Sequence, residues 1–288
     1  MALPSEFRYY RPDTLEETLR MMEELGVQKK VLVGGTDLMS GVRSGKITLP
    51  ENIIDVTRVK ELTTVDDAGD IVRIGAAKKL SEIESSQIVR NKFPILAEAI
   101  STMGSFQIRN MGTIGGNLCN ASPAADTAPP LLVLDANVEI ASIKRNRTVH
   151  MNKFFLAPGK TVVDSNEIVT KIQIPASLSH DKWGFVKLGR RKAFTLSIIS
   201  IAVLLKVQDN IFEDARIALG SVAPTPVRIT KAETFLKGKS VSEGVIDEAS
   251  LMVRDETKPI SDVRASAEYR REMSYELTKN LLMKLSKG

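Results

Sequence analysis

Residues 104 to 130 read GSFQIRNMGTIGGNLCNASPAADTAPP, a stretch with the apolar periodicity of neither a helix nor a strand, set between two regular regions. Glycine, asparagine, serine and proline run all through it. A structureless segment longer than about 12–15 residues inside a compact domain is usually functional. This one predicts a long irregular loop around which the rest of the chain is built.

The flanking sequence supplies the regular elements. The first fifty-odd residues read strand, helix, strand, helix, strand. Asp13 and Glu16 are spaced as a capping box for a helix that carries Leu15, Leu19, Met22 and Leu25 on one face and stops at Gly26. The apolar strand Val31-Leu32-Val33 runs straight into Gly34-Gly35-Thr36-Asp37, ahead of a helix with Leu38, Met39 and Val42, and a third strand lies at Ile53-Ile54. That alternation is the pattern of a small α/β unit. Further on come a strand at 71–75, a second capping signature at Ser81 and Glu84, and a helix opened by Pro94. Strands are expected again at 138–143 and around 168–174. From Lys182 onward, three β segments (184–188, 196–207, 212–219) precede three helical stretches (227–238, 242–253, 264–286). Strands followed by helices predict a separate α+β domain, with a boundary near residues 176–182.

Composition narrows the function classes. The chain has 288 residues, enough for about two domains. Lys and Arg number 40 against 35 Asp and Glu, a net +5, but the charges are interleaved. The only dense basic cluster is Lys187 with Arg190, Arg191 and Lys192, so no nucleic-acid partner is expected. The single cysteine, Cys119, excludes an internal disulfide and any cysteine cage or iron–sulfur cluster held by this chain alone. It reads as a small buried side chain. His150 and His180 lack metal-ligand spacing and read as surface residues, so no metal site is expected. No apolar h-region opens the sequence, and its purely apolar runs fall far short of the ~20 residues of a membrane span. A cytoplasmic protein with no membrane span is expected.

Two glycine turns carry the candidate chemistry. In Leu32-Val33-Gly34-Gly35-Thr36-Asp37-Leu38 the glycines let backbone approach a ligand, and the N–H groups of the following helix favour an anion. Thr36 can cap that helix and donate to a phosphate oxygen. A plain strand-to-helix turn with an N-cap threonine accounts for the same residues. In Thr113-Ile114-Gly115-Gly116-Asn117, hydroxyl, bare backbone and amide suit a pyrophosphate and a ribityl chain, and nearby Asp126 can accept from sugar hydroxyls. A purely structural glycine loop is the alternative there. Both turns in one chain point to a dinucleotide cradle. Other phosphate motifs fail: there is no G-x-G-x-x-G, Gly238-Lys239-Ser240 has Glu at position 233, and Gly45-Lys46 is followed by Ile47. The basic cluster at 187–192 reads as a solvated face, or else with Lys187 turned inward to a cofactor.

Taken together, VLVGGTDL (31–38), QIRNMGTIGGNLCNASPAADTAPPLLVLDA (107–136), LGSVAPTPVR (219–228) and SDVRASAEYRR (261–271) resemble the FAD-binding medium subunit of the molybdenum hydroxylases, as in carbon monoxide dehydrogenase and xanthine dehydrogenase. The resemblance spans the chain. It implies an α+β fold: a two-part FAD-binding domain of the vanillyl-alcohol-oxidase (PCMH) type, residues 1–57 and 58–177, followed by a C-terminal α+β domain, 178–288, with a small antiparallel sheet and helices. It also implies that residues 32–38 and 113–117 wrap the pyrophosphate and ribityl chain of a non-covalent FAD. Asp126, Met103, Gly104, Val169 and Lys187 match further contact positions. Substrate would be oxidised at a molybdenum–pterin centre on a large subunit, with electrons passing through 2Fe–2S clusters on a small subunit to this flavin and on to an external acceptor, in a heterotrimer or a dimer of heterotrimers. No catalytic residue is expected on this chain. A stand-alone FAD oxidoreductase of the same fold is the competing reading, and it would need a base or proton donor over the flavin.

Overall fold

A computed structural model of the chain describes residues 7–176, 182–191 and 194–287. The expected boundary near 176–182, His180 and Lys192 fall wholly or partly outside the described residues. Among the described residues, three sheets of three to five strands and one two-stranded ribbon organise the molecule. The first unit is β1 (Arg8–Tyr10), α1 (Leu15–Glu24), β2 (Lys29–Leu32), α2 (Thr36–Arg43) and β3 (Asn52–Asp55), with β3 paired in parallel between β1 and β2. The cap of α1 lies one residue later than the sequence spacing suggests. Thr14 accepts from the Glu17 N–H at 3.2 Å, and the Glu17 carboxylate accepts from the Asp13 N–H at 3.0 Å. Thr14 takes the role because its backbone is extended (φ −127°, ψ 157°) and its hydroxyl reaches the third N–H. Gly26, at φ +57°, ends the helix as expected.

The second unit is a five-stranded antiparallel sheet with an excursion of helices on one side. Its elements are β4 (Val65–Asp67), β5 (Ile71–Gly75), α3 (Leu80–Ser85), α4 (Gln87–Lys92), α5 (Pro94–Ser101), α6 (Phe106–Met111), α7 (Ile114–Cys119), α8 (Ala128–Val133), β6 (Asn137–Ala141), β7 (Asn146–His150), β8 (Phe155–Ala157), β9 (Lys160–Thr161) and β10 (Ile168–Pro175). The strand order β4-β5-β10-β6-β7 puts the last strand at the centre, and β8 pairs with β9 as a separate ribbon. Residues 104–130 are therefore not one irregular loop. They contain α6, α7 and the start of α8, each helix six residues long. The small polar residues that suggested a loop are the caps: Ser105 accepts from the Ile108 N–H and Thr113 from the Gly116 N–H, both at 3.1 Å. Ser81 and Glu84 do not form a capping box. α3 already begins at Leu80, whose N–H is held by the Gly112 carbonyl, and Glu84 is drawn to Arg109 instead.

The third unit is the antiparallel sheet β11 (Lys182–Leu188), β12 (Ile199–Gln208), β13 (Ile211–Gly220) and β14 (Val227–Arg228), followed by α9 (Thr230–Leu236), α10 (Glu243–Glu256) and α11 (Ala267–Lys287). The run Ile198–Leu205 is apolar almost throughout because both faces of β12 are covered. Ile199, Ile201, Val203 and Leu205 face a core with α9–α11, whereas Ala202 and Leu204 join the core of the second unit. A polar seam closes the same boundary: Asp135, just after α8, pairs with Arg216 at 2.5 Å and with Arg228. His150, expected at the surface, sits half-buried 3.8 Å from that carboxylate. Among the described residues no helix is long and apolar enough to cross a membrane.

Candidate functional site

The three units meet around a cleft of about 690 Å³, within the ~300–1,000 Å³ usual for small-molecule sites. Its walls are the β2–α2 turn, the segment from Met103 through α7, and Lys187 with Phe194, Thr195 and Leu196.

On the first wall, Leu32, Val33, Gly34, Gly35, Thr36, Asp37 and Leu38 all line the cleft. Gly35, at φ +68°, is the N-cap of α2, and no side chain caps it. Thr36, expected as the cap, is the first helical residue. The first turn thus presents uncapped N–H groups to the cleft. Gly34 serves a different purpose: a Cβ there would lie 2.1 Å from the Met111 carbonyl oxygen, so its bareness lets the two glycine segments touch.

On the second wall, α7 divides the expected contacts by helical period. Thr113, Gly116, Asn117 and Asn120 face the cleft, at spacings i, i+3, i+4 and i+7. Ile114 and Gly115 turn away. Ile114 is fully buried, the Gly115 N–H is held by the Ala76 carbonyl at 2.8 Å, and a Cβ on Gly115 would come within 2.7 Å of Ala76. They anchor α7 to the end of β5. Gly116 is exposed to the cleft, and a Cβ there would lie 2.9 Å from the Thr113 hydroxyl oxygen. Met103 and Gly104 (φ +49°) also line the cleft, held by Arg109, which donates to the Met103 carbonyl at 2.9 Å and pairs with Glu84 at 2.9 Å.

On the third wall, Lys187 shares the face of β11 with Trp183 and Phe185, which packs against the second unit, and so points inward. Its ammonium donates to Asp126 at 2.7 Å and to the Thr102 carbonyl at 2.9 Å. Both groups are nearly buried, with side chains 7% and 6% exposed. The other Asp126 oxygen accepts from Ser197 at 2.5 Å. Asp126 is thus on the cleft wall but already engaged on both oxygens, which limits the role of free sugar acceptor expected for it. The basic cluster divides: Lys187 is inward, Arg190 and Arg191 are exposed. Val169 is not among the cleft-lining residues; it lies in the core of the second unit, 4% exposed.

Sequence reasoning missed Lys30, Ile47, Asn120, Gly159, Phe194, Thr195 and Leu196, which also line the cleft. Asn120 is legible once α7 is read with a period of 3.6. The rest come from segments whose only signal is proximity in the fold. Cys119, expected to be buried, is exposed on the cleft wall, yet the protein packed around it pushes its thiol up to about 12. Among the described residues no group of three or more His, Cys, Asp or Glu could hold a metal.

This donor set fits a dinucleotide such as FAD: an uncapped helix N-terminus for phosphate, a bare Gly116 that leaves room beside it, amide and hydroxyl groups for a sugar chain, and apolar residues at the far wall. The comparisons with known proteins agree. Residues 5–177 match the FAD-binding domain of molybdopterin dehydrogenases, and residues 184–285 match the C-terminal domain of carbon monoxide dehydrogenase flavoproteins. The glyceraldehyde dehydrogenase medium chain of Sulfolobus acidocaldarius is 34% identical, over 96% of each chain. The xanthine dehydrogenase FAD-binding subunit of Escherichia coli O157:H7 is 31% identical, over 95% of this chain and 94% of that one. The solved carbon monoxide dehydrogenase of Hydrogenophaga pseudoflava contains a chain that is 30% identical and superposes with a TM-score of 0.94, covering 99% of this chain and 98% of that one. Two glycine turns on one cleft, in a fold shared from end to end with these proteins, place the chain in the family of FAD-binding medium subunits of molybdenum hydroxylases, as an oxidoreductase flavoprotein.

Proposed function

We propose that this chain holds FAD non-covalently in the cleft and is the electron-transfer subunit of a molybdenum-containing hydroxylase or dehydrogenase. In this reading it takes electrons from 2Fe–2S clusters of a small subunit and passes them to an external acceptor. Substrate oxidation belongs to a molybdenum–pterin centre on a large subunit, and the assembly is a cytoplasmic heterotrimer or a dimer of heterotrimers. One observation carries the reading. The cleft offers backbone donors in quantity, yet among the described residues no histidine or glutamate lines it, and Lys187 neutralises its one buried carboxylate. Such a wall can bind and orient a cofactor; its other carboxylate, Asp37, is exposed in the first turn of α2, beside the N–H groups that would hold phosphate.

When bound, the flavin supplies reversible acceptance of electrons. The chain's own residues supply the rest. The α2 first turn would donate to phosphate, Thr113 and Asn117 offer polar contacts along the sugar chain, Met103 and Leu196 offer apolar surface, and Lys187 places a positive charge on the wall. Residues 32–38 with Met103, Gly104, Thr113, Gly116, Asn117, Asp126 and Lys187 form the proposed holding set, within a chain divided after residues 57 and 177.

The test is flavin absorbance with the lone chain and then the reconstituted trimer. The lone chain should be yellow, should release FAD in denaturant, and should be inert toward aldehydes, purines and carbon monoxide. Flavin reduction should appear only once the iron–sulfur and molybdenum subunits are added. Rapid reduction by an organic substrate in the lone chain would overturn the relay in favour of a stand-alone oxidoreductase.

A further inference from the structure

The segment SDVRASAEYRR (261–271) does not line the cleft, yet its side chains converge on a residue that touches the cleft wall. Arg270 is 1% exposed and donates to the Ile198 carbonyl at 2.6 Å and the Ser221 carbonyl at 2.9 Å. Arg264 donates to the Ser197 carbonyl at 3.2 Å. The Ser221 hydroxyl donates to the same carbonyl at 3.1 Å, from a residue held at φ +65°. Asp262 ties the two arginines together, accepting from Arg264 at 2.6 and 2.9 Å and from Arg270 at 2.8 Å. Burial opposes ionisation there, but the hydrogen bonds from Arg264 hold the Asp262 carboxyl well below the usual range.

Three donors meet the consecutive carbonyls of Ser197 and Ile198, which are buried and lie just before the ladder of β12. Their common effect is to fix the Ser197 backbone, and with it the hydroxyl that donates to Asp126. With one oxygen so held, Asp126 cannot swing, and its other oxygen keeps the Lys187 ammonium at the cleft wall.

We propose that Asp262, Arg264 and Arg270 are positioning residues that act through Ser197 to hold the Asp126–Lys187 pair against the cofactor cleft. The proposal rests on the reading of that cleft as the FAD site. It gives the 261–271 motif a function in the FAD-binding half of the protein, across the boundary between units. Ser197→Ala is the informative change, because it deletes the hydroxyl and leaves every carbonyl pin in place. Arg264→Met deletes one pin, and Arg264→Lys retains a charged donor.

The test uses the full chain. Without FAD, the labelling rate of Lys187 by an amine-selective acylating reagent is followed by peptide mass spectrometry. With FAD, the dissociation constant is followed by flavin fluorescence. Ser197→Ala and Arg264→Met should each raise the labelling rate and the dissociation constant by about tenfold, the scale of one hydrogen bond to a charged group. Arg264→Lys, whose one ammonium cannot bridge Asp262 and the Ser197 carbonyl as the guanidinium does, should fall between the parent and Arg264→Met, and the double variant Ser197→Ala/Arg264→Met should be no worse than Ser197→Ala alone. Parent-like labelling or affinity in Ser197→Ala, or effects that multiply in the double variant, would overturn the relay. A parent chain without FAD affinity would instead sink the cofactor reading, with the labelling rate still deciding the relay.

Discussion

At the scale of single residues, the buried charges set the testable energetics. Asp126 and Lys187 are each more than nine-tenths buried, and truncating one leaves the other without its counter-charge. Asp126→Ala should therefore cost about 3–5 kcal/mol of unfolding free energy. Urea unfolding of FAD-free protein separates this cost from any loss of cofactor affinity; an unchanged midpoint would show that the pair does not contribute. Glu167 makes a different point. Its side chain is 2% exposed and is held by Arg147 at 2.6 Å, and the Arg147 hydrogen bonds, against the effect of burial, lower its pKa from 4.5 to about 2. The folded value lies below the unfolded one. The stabilisation is thus complete above about pH 4.5 and is lost as pH falls toward 2. Glu167→Gln should lower stability near neutral pH by about 1.5–3 kcal/mol. It should also flatten the decline between pH 4.5 and 2, as read from acid titrations of the unfolding midpoint; an equally steep acid limb in the variant would exclude Glu167 as its source.

At the scale of elements, the two cleft glycines should fail in different ways. Gly34→Ala drives a Cβ against the Met111 backbone carbonyl, and neither wall can yield without parting the glycine segments. It should destabilise the protein by about 1–3 kcal/mol, visible in thermal unfolding, as well as weaken FAD binding. Gly116→Val meets only the Thr113 hydroxyl, at 2.9 Å from the new Cβ, and Gly116 has no left-handed φ to strain. It should abolish FAD retention by filling the cleft, and by displacing the Thr113 cap of α7 it should also lower thermal stability of the FAD-free chain by about 0.5–2 kcal/mol; stoichiometric flavin in the purified variant would remove α7 from the site. Apolar pairs or longer runs, such as Val31-Leu32, Ile53-Ile54 and Ile201–Leu205, mark β2, β3 and β12 in the sequence, and alternating isoleucines mark β10. The helices α6 and α7 were not readable, since Ser105, Gly112 and Thr113 look like loop residues until their capping geometry is known. Reading 113–117 as a loop made all five residues equal candidates, whereas a helix lets only one face reach the ligand. The basic neighbours of Lys187 left its direction open between solvent and cofactor, whereas Trp183 and Phe185, four and two residues earlier on the same strand, mark the face that packs inward.

At the scale of the whole molecule, the third unit is attached by more than chain continuity. Its sheet buries Ala202, Leu204 and Ala218 in the core of the second unit, and Asp135 accepts both Arg216 and Arg228 across the boundary. Asp135→Asn should lower the melting temperature through a loss of about 1–2 kcal/mol, and that loss should shrink in molar salt. Calorimetry at two ionic strengths checks both; a salt-independent deficit would assign the effect to packing instead. The same architecture bears on how the protein is made. β10 occupies the middle of the second sheet but leaves the ribosome after every other strand of that sheet. Until residue 175 has cleared the exit tunnel, the nascent chain carries β5 and β6 with bare inner edges, the kind of surface that chaperones cover and that misassembles when left open. The middle of this sheet can be filled only once β10 has been made, and the cleft is complete only after Lys187 and residues 194–196, which line it, have followed.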